Sequence, residues 1–261
     1  MIGLAGCGRM GKPMLASLRS MGLRAKGFDV VEHESDWITT DPQRFSRDLS
    51  TLITVVRDID QTDDVLFNVQ GFVDSAPKLE RIIICSTLSP KYVRALRTRI
   101  PENIVLIDAP MSGAQIAAKR AELSFMLGGA KTDLDDAQML FASMGTKFHR
   151  MGAFGSGMHA KVLNNMLAAS HTAMTRMVLD WADNAGLDEQ AMLGLIHTSS
   201  GQNWLASGFD KIEFARDGYK DDNTIGILVK DVESAIDAAP VTADLTPAKT
   251  IQKMILDLKP R

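Results

Sequence analysis

Blocks of basic residues are absent from this chain. Its 29 Lys and Arg are scattered among 32 Asp and Glu, for a formal net charge of -3. A nucleic-acid partner would call for a clustered basic face, so none is expected. Cysteine is scarce as well. Cys7 and Cys85 each close an apolar, strand-like run and read as buried, reduced thiols. With no disulfide framework to build, a cytoplasmic location is expected. No apolar run approaches the roughly 18 residues of a membrane span. The longest helical pattern is broken by Asn164, Asn165, His171 and Arg176, so no membrane partner is expected either. Leu4-Ala5-Gly6-Cys7 has the look of a lipoprotein cleavage box, but a signal peptide needs about 7–15 apolar residues ahead of that box. Only Met1, Ile2 and Gly3 precede it, so no leader is expected. His159 and His171 lack Cys or carboxylate partners at ligand spacing, which argues against a metal site. Internal repeats and low-complexity tracts are missing too.

What is present is an ordinary globular composition, 45% hydrophobic and 23% charged over 261 residues, enough for one or two domains. The first half alternates short apolar runs with helical patterns, as a parallel sheet requires. Strands are expected at Met1–Ala5, Ala25–Phe28, Leu52–Val56, Arg81–Cys85, Ile104–Ile107, Ser124–Leu127 and Lys147–His149. Runs such as Ile82-Ile83-Ile84 read as buried on both faces. A helix from Lys12 to Met21 carries Met14, Leu15, Leu18 and Met21 on one stripe, with Pro13 in its first turn and Gly22 as its stop. Strand signals fade after about Phe154. A long helix is expected from Met158 to Asn184, then shorter ones at Asp188–His197, Trp204–Ala215, Thr224–Ala239 and Thr246–Leu258. The expected fold is α/β: a Rossmann doubly wound parallel sheet over 1–154, then an all-helical second domain over 155–261 with the long helix as connector.

Gly6-x-Gly8-x-x-Gly11 lies between the first strand and the first helix. In a dinucleotide site the first glycine makes the tight turn, the second lets backbone approach a pyrophosphate, and the third lets helix and strand pack closely. The helix N-terminus supplies N–H groups and positive dipole. Asp29 falls at the end of the second strand, about 20 residues on, where an acid accepts the ribose hydroxyls. A carboxylate there repels a 2′-phosphate, and Val30 and Val31 follow it in place of an Arg. NAD is therefore the expected cofactor, with NADP possible.

The second segment of interest runs from Gly155 to Asn165. A glycine turn leads into the long helix, and Lys161 and Asn165 sit one turn apart on a shared face, with Val162, Met166 and Ala169 on a neighbouring face that can bury. Adjacent Asn164 and Asn165 are poor helix formers, which points to a local hydrogen-bonding role. A lysine near a helix N-terminus is disfavoured by the dipole. That field, together with burial and a nearby nicotinamide cation, favours the neutral amine that proton transfer needs. A solvated first-turn lysine is the competing reading.

These segments resemble the β-hydroxyacid dehydrogenase family, which includes 3-hydroxyisobutyrate dehydrogenase and tartronate semialdehyde reductase. Five motifs appear in order along nearly the whole chain: Gly6-Cys7-Gly8-Arg9-Met10-Gly11, Ser86-Thr87-Leu88-Ser89-Pro90, Asp108-Ala109-Pro110-Met111-Ser112-Gly113, Gly155 to Asn165, and Lys230-Asp231. The resemblance implies Lys161 as general acid/base, Ser112 and Gly113 on the substrate carboxylate, and Asn165 orienting substrate and lysine. It places Gly6, Gly8, Arg9, Met10, Gly11, Asp29, Val56, Arg57, Thr87 and Lys230 on the cofactor. Hydroxyl and backbone N–H donors independently suit a carboxylate. There are departures. Ala114 stands where a second glycine usually follows Ser-Gly, a glycine usual near Ala121 is missing, and Arg57 replaces a common Pro. Arg57 either meets an anionic group of the cofactor or is a surface arginine.

The expected activity is reversible, NAD-dependent oxidation of a small 3-hydroxy acid to its semialdehyde or keto acid. A related imine or decarboxylating reductase and a non-catalytic NAD-binding module are the competitors. A homodimer or homotetramer is expected from the apolar face of the connector helix. The fifteen methionines read as core filler, and Trp204 as a helix anchor rather than a cleft wall.

Overall fold

The computed structural model describes residues 1–261, which divide into two compact units, Met1–Lys161 and Val162–Arg261. In the first unit the chain runs β1 (Ile2–Ala5), α1 (Gly11–Ser20), β2 (Ala25–Phe28), β3 (Ile38–Thr39), α2 (Pro42–Ser46), β4 (Thr51–Thr54), α3 (Ile59–Leu66), α4 (Phe72–Ser75), β5 (Arg81–Ile84), α5 (Pro90–Arg99) and β6 (Val105–Asp108). It continues through β7 (Met111–Ser112), α6 (Ala114–Lys119), β8 (Leu123–Gly128), α7 (Lys131–Asp136), α8 (Gln138–Ala142) and β9 (Gly145–Gly152).

The sheet order is β3-β2-β1-β4-β5-β6-β8-β7, with β9 paired to β8. From β3 to β6 every pair is parallel and in simple register, Ile2 opposite both Ala25 and Thr51. Successive residues of the central strands point to opposite faces. Leu52, Ile82, Ile84 and Leu106 join one core with Phe28, Phe45 and Phe72; Ile53, Ile83 and Ile107 join the other with Met14, Leu15 and Leu18. Burial on both faces explains why these strands are nearly continuous apolar runs.

The parallel order reverses at β8, which runs antiparallel to both β6 and β7, while β9 lies parallel to β8. A parallel return needs a crossover of about a dozen residues or more, and the Gly113–Glu122 connection holding the short α6 is too brief. β3 and β7, two residues each, are too short to leave a periodic signal. Helix α1 ends as expected: Gly22 takes φ +77, donating to Arg19 O while Leu23 donates to Leu18 O.

The second unit is helical. α9 (Ser156–Asn184) begins in the first unit and continues into the second, followed by α10 (Glu189–Thr198), α11 (Trp204–Gly208), α12 (Thr224–Ala238) and α13 (Thr246–Leu256). Asp188, Asn203 and Asn223 cap α10, α11 and α12 through their side-chain oxygens. The helix expected over 204–215 stops at Gly208, after which separate turns bring Phe209 and Ala215 into a core with Leu179, Leu193 and Leu205. Trp204 packs against Phe214 with centroids 6.1 Å apart, a packing contact as expected. Arg176 is buried and donates from its two terminal nitrogens to Ala215 O, Asp217 O and Lys259 O, so three carbonyls hold a guanidinium that reads in sequence as a polar interruption. Core filling describes Met14, Met144 and Met158, whereas Met21, Met139, Met151 and Met174 are exposed. No helix is long and apolar enough to cross a membrane.

Candidate active site

The three loop glycines do three different jobs. Gly6 takes φ +95 directly after β1, and a methyl there would lie 2.5 Å from Val55 O. Gly8 faces open space, with no atom within 4 Å of where a Cβ would stand. At Gly11 a methyl would be driven into Gly6 O and Leu4. Helix α1 starts at Gly11 with no acidic side chain in its first turn, so its N-terminal field is left for an anion. Arg9 is exposed beside Gly8, and Met10 is half-buried against the core.

Asp29 ties the second strand to this loop. Its Oδ2 accepts from Cys7 N at 2.7 Å, its Oδ1 from Val31 N at 3.1 Å, and His33 Nε2 lies 3.3 Å away. His33 escapes pattern reading because nothing marks a histidine five residues past a strand end. Burial, then the Asp29 charge, push the Cys7 thiol up to about 12, so it stays protonated. A cavity of about 670 Å³ runs alongside, lined among others by Gly8, Arg9, Lys12, His33 and Lys119. An open cradle at Gly8, a left-handed turn at Gly6 and an acid beside both fit a dinucleotide. The loop after β4 closes onto it: Val56 Cγ1 lies 3.0 Å from a methyl placed at Gly6, and Val56 N donates to Ser86 Oγ at 2.9 Å, next to half-buried Thr87. Arg57 is exposed at the start of α3, its backbone N–H held by Gln61.

Lys161 is buried, 7% exposed, and its Nζ donates to Ser112 Oγ at 3.2 Å. Ser112 ends β7, and the chain then turns through Gly113 at φ +134 and Ala114 at φ +52. Ala114 and Ala121 are the only non-glycine residues with positive φ, and both stand where the family resemblance leads one to expect glycine. The start of α9 is pressed against the sheet. A methyl on Gly157 would be driven into Met126 O, and Gly155 takes φ +92 beneath Arg94. Asp108, at the end of β6, is fully buried and accepts from Gly155 N at 2.6 Å and from Met158 N. Burial pushes its carboxyl up to about 6, against the pull of those N–H groups. Pattern reading included Asp108 in a motif without giving it a task.

In the second unit, Asn165 Nδ2 donates to Asp231 Oδ2 at 2.6 Å, and Asn164 Nδ2 donates to Asn165 Oδ1 at 3.3 Å. Both asparagines thus have the hydrogen-bonding work their poor helix propensity suggested. Asp231 is buried on α12, next in sequence to half-buried Lys230.

Residues 1–152 match the family model of the NAD binding domain of 6-phosphogluconate dehydrogenase, and residues 155–257 that of the NAD-binding region of NADP-dependent 3-hydroxyisobutyrate dehydrogenase. The chain is 27% identical over 255 residues to the mitochondrial 3-hydroxyisobutyrate dehydrogenase of Rattus norvegicus, covering 92% of this chain and 76% of that one. It is also 27% identical over 261 residues to the NAD-dependent L-serine dehydrogenase of Pseudomonas aeruginosa, covering 94% and 87%. The fold matches a solved Mycobacterium tuberculosis 3-hydroxyisobutyrate dehydrogenase with L-serine at a TM-score of 0.82 and 24% identity, over 99% of this chain and 95% of that one. With a dinucleotide cradle in the sheet unit and family models matching both halves, the chain belongs to the β-hydroxyacid dehydrogenase family, as an NAD(P)-dependent enzyme acting on a CH–OH group.

Proposed function

We propose that this enzyme reversibly oxidises a small 3-hydroxy acid to its semialdehyde or keto acid, with Lys161 as general acid/base and NAD preferred over NADP. The observation that carries this reading is the buried Lys161 amino group, its Nζ 3.2 Å from Ser112 Oγ. A lysine kept from water with a hydroxyl donor–acceptor beside it can exchange a proton with a substrate oxygen. Ser112 Oγ–H and the exposed Gly113 N–H supply donors for a carboxylate. Nζ takes the hydroxyl proton in the oxidative direction and returns it in the reductive one. A nicotinamide held by the glycine loop would accept the hydride from the carbon that bears that hydroxyl. Asn165 and Lys230 keep the roles the family resemblance implies, orienting substrate and lining cofactor. The relatives' names, a 3-hydroxyisobutyrate and an L-serine dehydrogenase, support a small hydroxy acid.

Lys161→Ala is expected to lower turnover by about 10²–10⁴-fold, the usual worth of a general acid/base, with NAD affinity nearly unchanged. Assay of a panel of small hydroxy acids at the nicotinamide absorbance reads both. Unchanged turnover in that variant would remove Lys161 from the proton transfer and leave the general acid/base to another group.

The chain is further proposed to act as a homodimer or homotetramer. On α9, Leu163, Leu167, Met174 and Trp181 are 51, 60, 44 and 65% exposed, at four- and seven-residue spacings that align them in one stripe.

A further inference from the structure

We propose that Asp108 is the positioning residue for Lys161: its buried carboxylate fastens the first turn of α9 and thereby sets where Nζ lies against Ser112. This rests on the proton-transfer reading of Lys161 above.

Asp108 sits at the root of two short arms that meet at the site. Four residues forward along the chain is Ser112, at the end of β7. Across the carboxylate are the amides of Gly155 and Met158, and Lys161 lies three residues beyond Met158 on the helix. The Ser112–Lys161 hydrogen bond closes the circuit. A displacement of the carboxylate therefore moves one arm relative to the other.

The packing leaves no room for compensation. Gly128 faces Asp108 across the β6–β8 pair, and a methyl there would be driven into Asp108 Oδ1 and lie 2.8 Å from Gly157 N. A methyl at Gly157 would meet both Met126 O and Asp108 O. Two glycines are thus needed for the helix start to reach the carboxylate. Helix α9 has no acidic residue in its own first turn, so the anion that complements its N-terminal dipole comes from the sheet. Holding that anion is costly: the side chain is fully buried and its carboxyl is raised to about 6. A neutral cap would satisfy the amides at less cost, which points to a task that needs the charge. Of the groups packed around it, Cys85, just past β5, is raised by burial and then by the Asp108 charge, so it stays a neutral thiol, and Arg94 of α5 packs over Gly155.

Asp108→Asn keeps the shape but turns a donor toward the amides. In the holoenzyme kcat is expected to fall at least tenfold, NAD affinity to stay within twofold, and the acid limb of kcat near pH 6 to disappear. A variant with the parent's kcat and pH profile, in a protein where Lys161→Ala abolishes turnover, overturns the proposal. A fall in kcat that leaves the acid limb in place overturns it as well. If instead Lys161→Ala is active, it is the proton-transfer reading that fails. Should the Asn variant not fold, the amide resonances of Gly155 and Met158 are followed in the unaltered protein. They are expected to titrate together with kcat near pH 6, and titration without any change in kcat refutes the link.

Discussion

Ala121→Gly should stabilise the protein, although it removes a methyl group. Helix α6 ends at Lys119, with Arg120 as its C-cap; Ala121 donates to Ala118 O and Glu122 to Ala117 O. Those two bonds define a Schellman ending, in which the residue after the cap takes the left-handed conformation that glycine favours. Ala121 is held there at φ +54. A left-handed L-residue costs roughly 1–2 kcal/mol, and glycine's extra freedom in the unfolded chain returns about 0.5–1 kcal/mol of that. The net gain is about 0.5–1 kcal/mol, or a rise in Tm of about 1–4 °C for a chain of this size. The same substitution one turn earlier, Ala117→Gly, falls inside the helix and should lose about 1 kcal/mol. Urea unfolding of both variants beside the parent measures the pair. An Ala121→Gly variant no more stable than the parent, at unchanged m-value, would refute the account of the strain. Position 121 is the cleaner of the two left-handed alanines, because Ala114 borders the proposed substrate donors.

Replacing Asp29 by Ala together with Val30→Arg should shift the kcat/KM ratio toward NADP by about 10–100-fold, the worth of one charge-assisted contact; an unmoved ratio sinks the NAD preference. Asp108 gives an unusual pH signature. Its carboxyl rises from an ordinary 3.8 to about 6 in the fold, so the folded state binds the proton more tightly than the unfolded chain. Its contribution to stability is therefore full below about pH 3.8 and is lost as the pH climbs through 6, by roughly 3 kcal/mol in all. Chemical unfolding at pH 4 and pH 7, parent against Asp108→Asn, should show that difference; a difference of opposite sign would mean the carboxyl is lowered instead. Leu167→Glu should reduce the assembled mass seen by light scattering, and an unchanged mass would move the association surface off the α9 stripe.

Much of the architecture is legible in the chain because its strongest signals are physical necessities. Ile82-Ile83-Ile84 reads as a strand buried on both sides, and it feeds both cores. Pro13 and Gly22 bracket α1 as their backbone preferences dictate. What escaped has equally physical causes. Reversal at β8 depends on the length of a connection rather than on any residue type. Gly208 ends α11 inside a stretch whose periodicity runs on to Ala215. Arg176 looks like a polar break in a helix, yet three carbonyls distant in sequence make it a core residue. At the site, Lys161 and Ser112 could be paired only through family resemblance, because 49 residues separate them. Asp108 escaped for the same reason, its partners being backbone amides 47 and 50 residues away; His33 lies only four residues from Asp29, but nothing in the sequence marks the two as a pair.

Gly8 and Gly11 stand three positions apart yet answer to different masters. Substitution at 11 is a folding defect whether or not any ligand is ever present, since the clash is with the chain itself. At 8 the fold is indifferent, and only a bound pyrophosphate would register the change. In a lineage that abandoned nucleotide chemistry, selection would relax at the first of these positions and persist at the second. The two residues together would then date the loss, separating a descendant that still works from one that merely keeps the shape.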